Sequence, residues 1–262
     1  MKVQLITVSL LAVVLYSCSH RSYLQSPLQA NTNSYKAIPL QSEGIKAATY
    51  ASGAITTGSA NYNWRDENVG FIGSIHRSHN FGGLQGYYGA TGVVGNYHMD
   101  YDPMLQDTRD SVYFHSSRNR FYGAWGFNGG LNFVIPFRNG SEWRVFGTEV
   151  SWTREFGDYR SLRSKLTDSI MDLVDRHRDF TTLGFSSDFV FKKRKGGTIG
   201  YKFGYVTSLT TLRNYRSYHQ GPITPGYFSQ TLHFSKNRIN GYWQLNFGTY
   251  SVSSLLGVSY RF

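Results

Sequence analysis

The chain holds one cysteine in 262 residues, Cys18, so it can build neither an internal disulfide nor a thiolate metal cluster. Charge is also scarce. Asp, Glu, Lys and Arg make up 16% of the chain, against about 25% in an ordinary soluble domain, and no acidic residue follows Asp188. Long apolar runs are missing as well. The mean hydropathy is −0.38, and the run from Leu5 to Leu15 falls short of the about 20 residues a spanning helix needs, which excludes a bundle of membrane helices. Metal-ligand spacing is absent too. His76, His79, His98, His115 and His177 include no i, i+4 pair, and Asp100, Asp102, Asp107 and Asp110 lack the spacing and closing Glu of a calcium loop. No metal and no cofactor is expected.

What the chain has in excess is aromatic residues and glycine: 20 Tyr, 18 Phe and 28 Gly. Many aromatics with few charges and moderate hydropathy suit a transmembrane β-barrel, whose lumen is polar and whose lipid face is aromatic. A soluble periplasmic β-sandwich is the alternative. The formal charge of +11 points to an anionic neighbour. Lipopolysaccharide, phospholipid and nucleic acid all qualify, and an exported chain does not meet nucleic acid.

Export is read from the N-terminus. Met1-Lys2 and the short apolar run ending Leu15-Tyr16-Ser17-Cys18 have the form of a signal peptide. The segment resembles a lipobox, which implies cleavage before Cys18 and its acylation, for example with palmitate. Residues 1–17 are then the signal peptide, 18–44 a lipidated tether and 45–262 the barrel. Ser19 to Ser42 is rich in Ser, Gln, Asn and Pro without Asp or Glu, and reads as a flexible linker. The Asn- and Tyr-rich style resembles lipoproteins of Bacteroidota. Members exported to the cell surface carry acidic residues soon after the cysteine; this chain does not, so the anchor is expected on the periplasmic leaflet of the outer membrane.

From Ile45 onward, apolar and small or polar residues alternate with period two. About ten strands are expected, with eight or twelve also compatible, at 45–58, 68–78, 84–98, 120–137, 142–156, 180–192, 198–212, 227–236, 241–249 and 252–262. The fold class is all-β, an antiparallel up-and-down barrel. Short and long connections alternate, as they do between the periplasmic and outer ends of such barrels. In one long connection Leu162, Leu166, Ile170, Leu173 and Val174 fall at helical spacing. They predict an amphipathic helix within 159–178 that plugs the mouth, docks a partner or lies on the membrane.

Two clusters bear on chemistry. Lys192, Lys193, Arg194 and Lys195 form a cationic turn suited to lipid headgroups or other anions. His233 and Ser235 share one face of a strand, and a histidine beside a serine can activate its hydroxyl if an acid orients the ring. At His233-Phe234-Ser235, and more loosely at Asn246-Phe247-Gly248 and the closing strand, the chain resembles the lipid A 3-O-deacylases and related acyloxyacyl hydrolases. That resemblance covers about the last thirty residues and implies an esterase. The family has Asn after the serine and an acid opening the last strand, where this chain has Lys236 and Tyr250-Ser251. An acid could come instead from Glu149 or Asp188, both on the lumen register. In the ten-strand layout His233 also falls near the periplasmic end, away from lipid A. The function expected is a non-enzymatic accessory or structural subunit of an outer-membrane complex. Its partners would be outer-membrane lipids, lipopolysaccharide among them, and another outer-membrane or periplasmic protein.

Overall fold

The computed structural model describes residues 23–30, 33–60, 66–99, 119–166, 173–194, 196–212, 223–248 and 251–262. Ten antiparallel strands form one closed sheet. They are β1 (Ala47–Ala60), β2 (Asp66–Asn80), β3 (Leu84–His98), β4 (Asn119–Pro136), β5 (Glu142–Phe156), β6 (Asp179–Lys192), β7 (Thr198–Ser208), β8 (Gly226–Lys236), β9 (Ile239–Gly248) and β10 (Ser251–Arg261). Each pairs with its neighbour in sequence, and β10 closes the barrel against β1, from Ser251 opposite Ala60 to Arg261 opposite Tyr50. The expected strands are all present, and the sandwich alternative is set aside because the sheet closes on itself with no second layer.

Alternation explains which face each residue takes. On β4, Phe121, Trp125, Phe127, Leu131, Phe133 and Ile135 point outward and stay 40–58% exposed, while Tyr122, Ala124, Asn128 and Asn132 are buried inside. The same outward apolar face recurs at Phe71 and Ile75 on β2, Phe203 and Tyr205 on β7, and Leu256 and Val258 on β10. So continuous an apolar exterior is stable only against lipid. The architecture is that of an outer-membrane β-barrel.

One strand changes face along its length. On β5, Glu142 and Arg144 point inward, Phe146 points to lipid, and Gly147, Ser151, Thr153 and Glu155 point inward again. The pairing with β6 skips between Arg144 and Gly147. This is a β-bulge, whose extra residue reverses the inward–outward parity. Without it, two ionised side chains would face hydrocarbon.

Four short connections, β2–β3, β4–β5, β6–β7 and β8–β9, lie at one end with the start of β1 and the C-terminus. Each has a residue with left-handed backbone: Gly82, Gly140, Gly196 with Gly197, and Asn237 at φ 57°. These are the residue types that take that conformation at least cost. The long connections, β3–β4, β5–β6 and β7–β8, lie at the other end, together with β1–β2 and with β9–β10, which is only two residues long. There the expected helix is only α1, Asp158–Lys165. It stops because Leu166 turns extended and its carbonyl accepts from Arg176 Nε and Nη2 at 2.9 and 2.7 Å, folding the chain back. Leu173–Val174 is a short strand paired in parallel with Tyr23–Leu24, and Ile170 lies outside the described residues.

The largest departure concerns the segment read as a flexible tether. Residues 33–40 are buried inside the barrel almost throughout. Ten strands enclose more space than the eight whose own side chains fill the interior, and apart from Tyr50 the buried inward residues of β1 are small: Ala48, Ala54, Thr56 and Ala60. The room that remains takes one extended chain.

Candidate functional site

The chemistry of the molecule is concentrated in the lumen, where the N-terminal segment meets the barrel wall. From the long-loop end to the short-turn end its contacts run in order. Gln25 O accepts from Tyr159 Oη at 3.0 Å, and Leu28 is wholly buried. Asn33 Nδ2 donates to Thr182 Oγ1 at 3.4 Å, and Gln244 Nε2 donates to Asn33 O at 2.9 Å. The Tyr35 amide donates to Gln244 Oε1 at 3.1 Å. Lys36 Nζ donates to Ser74 Oγ at 3.2 Å, His76 Nε2 bonds Ala37 O at 2.9 Å, and Arg144 Nη2 donates to Ile38 O at 3.0 Å. The Gln41 amide donates to Glu142 Oε2 at 3.0 Å. Glu43 finally pairs with Arg261 at 2.5 Å. An irregular segment satisfies its backbone with wall side chains because no ladder is open to it.

At the centre of the short-turn half is a charged network. Arg144 pairs with Glu142 at 2.7 Å and with Asp188 at 2.8 Å, and all three side chains are almost fully buried. Its Nε donates to Gln85 Oε1 at 2.9 Å. His233 Nε2 donates to Asp188 Oδ1 at 2.9 Å. The other ring nitrogen, Nδ1, lies 3.1 Å from Tyr35 Oη, and the Tyr35 ring stacks on the imidazole with centroids 4.4 Å apart. So His233 has an orienting acid, Asp188, one of the two carboxylates the strand register allowed. The other, Glu149, accepts from Tyr87 Oη and lies 3.9 Å from Lys202.

Ser235 is not drawn into this group: its Oγ bonds Thr198 Oγ1 at 2.7 Å. In a hydrolytic triad the second imidazole nitrogen holds the nucleophile; here Tyr35 holds that position. Ser235 lies opposite Thr198, and His233 opposite Gly200, both beside the short turn, as the strand order implied. Gly200 has a role there. A Cβ on it would come within 2.2 Å of His233 Cε1.

A second buried charge cluster lies at the long-loop end. Arg163 of α1 pairs with Glu155, donates to Asp175 O at 2.6 Å, and lies 4.9 Å over the Tyr159 ring. Tyr159 stacks on Tyr97 at 3.9 Å, whose hydroxyl donates to Asp66 Oδ2 at 2.9 Å. His177, at the rim, donates its amide to Asp175 and holds its ring 3.0 Å from the same carboxylate. That hydrogen bond raises its pKa above the ordinary imidazole value. α1 therefore packs on its own barrel.

The cationic turn sits at the short-turn end. Lys192 Nζ donates to Ser42 Oγ at 3.3 Å, the Lys193 amide closes the turn on Gly197 O at 3.0 Å, Arg194 is exposed, and Lys195 lies outside the described residues. Cys18, Asp100, Asp102, Asp107, Asp110 and His115 also lie outside them. Among the described residues no three His, Cys, Asp or Glu side chains converge as metal ligands would.

The residues that sequence reading missed are Tyr35, Gln85, Glu142 and Arg144. A signal was present for some of them. Tyr35 and the run Ala37-Ile38-Pro39-Leu40 are out of place in a linker that stays in solvent, and the polar residues of β5 change parity between Arg144 and Glu149.

No protein-family model matches the chain, and no curated protein sequence does. Solved structures similar to it are outer-membrane β-barrels. The beta domain of the Bordetella autotransporter Brka has 12% identity and a TM-score of 0.41, over 83% of this chain and 100% of that one. The transport unit of the autotransporter AIDA-I from Escherichia coli has 9% identity and a TM-score of 0.39, over 90% and 95%. Neisserial surface protein A has 10% identity and a TM-score of 0.35, over 82% and 97%.

Proposed function

We propose that the chain is an outer-membrane lipoprotein, acylated at Cys18, that serves as a non-enzymatic accessory or structural subunit of an outer-membrane complex. The observation that carries this reading is the filled lumen. Residues 25–30 and 33–43 lie along it with polar contacts from one end to the other, so that among the described residues the lumen is taken up by the chain itself. With its interior committed to self-packing, the surfaces left for partners are its ends. The basic short turn around Lys192, Lys193 and Arg194 suits phospholipid headgroups or an acidic protein. The test is the size of the protein extracted from its own membrane in mild detergent. An assembly larger than the 29.8 kDa chain is expected; a monodisperse monomer would overturn the reading.

A second reading, an acyl hydrolase of lipid A or phospholipid, is favoured by one contact, Asp188 on His233 at 2.9 Å. Against it stand the 3% exposure of His233, Tyr35 on its second nitrogen and the engagement of Ser235 with Thr198. Mass spectrometry of lipid A from cells with the protein, with Ser235→Ala and without the protein separates the two. An unchanged acylation pattern is expected, and a pattern that changes with Ser235→Ala would establish the enzyme.

A further inference from the structure

We infer that the barrel is threaded by its own N-terminal segment, so that everything preceding Tyr23 is presented at the long-loop face, and an acyl group on Cys18 enters the leaflet on that face. In an outer-membrane barrel the long loops are on the outside. The anchor then sits in the cell-surface leaflet, opposite to the expectation from the residues that follow the cysteine.

Direction is set at both ends of the segment. At the long-loop end Tyr23–Leu24 pairs with Leu173–Val174, which belongs to the connection between β5 and β6, and Gln25 O is held by Tyr159 of α1. At the short-turn end Ser42 Oγ donates to Gly140 O at 2.9 Å in the β4–β5 turn, and β1 starts there. Between them Tyr35 meets His233, and Ile38 O meets Arg144. The segment makes one pass, from long loops to short turns.

Chain length then decides the leaflet. Cys18 is five residues before Tyr23, and five residues extend at most about 18 Å. The apolar band of such a barrel is about 25 Å tall, and the lumen is already occupied. Cys18 therefore cannot return to the short-turn side. The face on which the N-terminus emerges rests on this geometry alone; only the leaflet statement needs the acylation proposed above.

Thiol labelling tests the inference, since the chain has no cysteine besides Cys18. Arg21→Cys, Asp107→Cys in the long β3–β4 connection and Asn139→Cys in the β4–β5 turn are treated in intact cells with a membrane-impermeant maleimide, then again after permeabilisation. Heat-modifiable migration on gels confirms that each variant is folded. Arg21→Cys is expected to label in intact cells with Asp107→Cys, while Asn139→Cys labels only after permeabilisation. If Arg21→Cys behaves like Asn139→Cys, the threading is refuted. Labelling of the wild-type chain would report a free Cys18. That outcome overturns the leaflet assignment together with acylation, and the same three variants made on Cys18→Ser then decide the threading.

Discussion

Arg144→Met tests whether the lumen network holds the barrel and its inner segment together. The guanidinium has 3% exposure and two carboxylate partners, Glu142 and Asp188, at 2.7 and 2.8 Å. Removing it strands two buried carboxylates. Breaking a buried ion pair from one side costs about 3–5 kcal/mol. Partial compensation remains, because Asp188 keeps His233 and Glu142 keeps the Gln41 amide and Gln85. The low end, about 3 kcal/mol, is therefore expected, roughly a 150-fold fall in the folded-to-unfolded ratio. Urea unfolding of the lipid-reconstituted protein, followed by tryptophan fluorescence and by heat-modifiable migration, measures it. Adding Glu142→Gln and Asp188→Asn should recover most of the loss, since the penalty comes from unpaired charge and not from lost volume. A single variant within about 0.5 kcal/mol of wild type, or a triple variant worse than the single, would refute the reasoning.

Three further outcomes follow from the same geometry. Gly200→Ala places a methyl 2.2 Å from His233 Cε1 and 2.8 Å from Phe189 O, and overpacking of this kind costs about 1–3 kcal/mol in the same urea assay; Gly196→Ala offers no space-based comparison because its φ of 80° is itself strained. Replacing residues 33–40 by a Gly/Ser segment of equal length should turn a silent barrel into one that passes ions across a planar bilayer. His177 has a folded pKa raised by Asp175. Its contribution is therefore complete below the ordinary imidazole value of about 6.5 and is lost as pH rises through the folded value. Protease protection of the β5–β6 connection should fall over that range, and His177→Gln should flatten the profile.

The alternation from Ile45 to Phe262 determined the barrel by itself. Period two with an aromatic outward face is a local property that only a lipid-facing sheet satisfies over ten strands, and the turn residues Gly82, Gly140 and Asn237 mark where it breaks. It also brought His233, Asp188 and Glu149 to the lumen face. What alternation cannot say is which lumen residues meet, because that depends on strand tilt, register and the bulge at Val145-Phe146, which turns Glu142 and Arg144 inward. Sequence therefore paired His233 with Ser235, its neighbour on the same face, whereas its actual partners are Asp188 across the sheet and Tyr35 from 198 residues away. The inner segment was the least legible part. It has no periodicity, since its hydrogen bonds go to wall side chains and not to a ladder, and its Ser, Gln and Asn content reads as a linker except at Tyr35 and the apolar run Ala37-Ile38-Pro39-Leu40. Only closure of the sheet created the space that residues 33–40 occupy, and only the tertiary structure brings Tyr23–Leu24 beside Leu173–Val174 at the long-loop end.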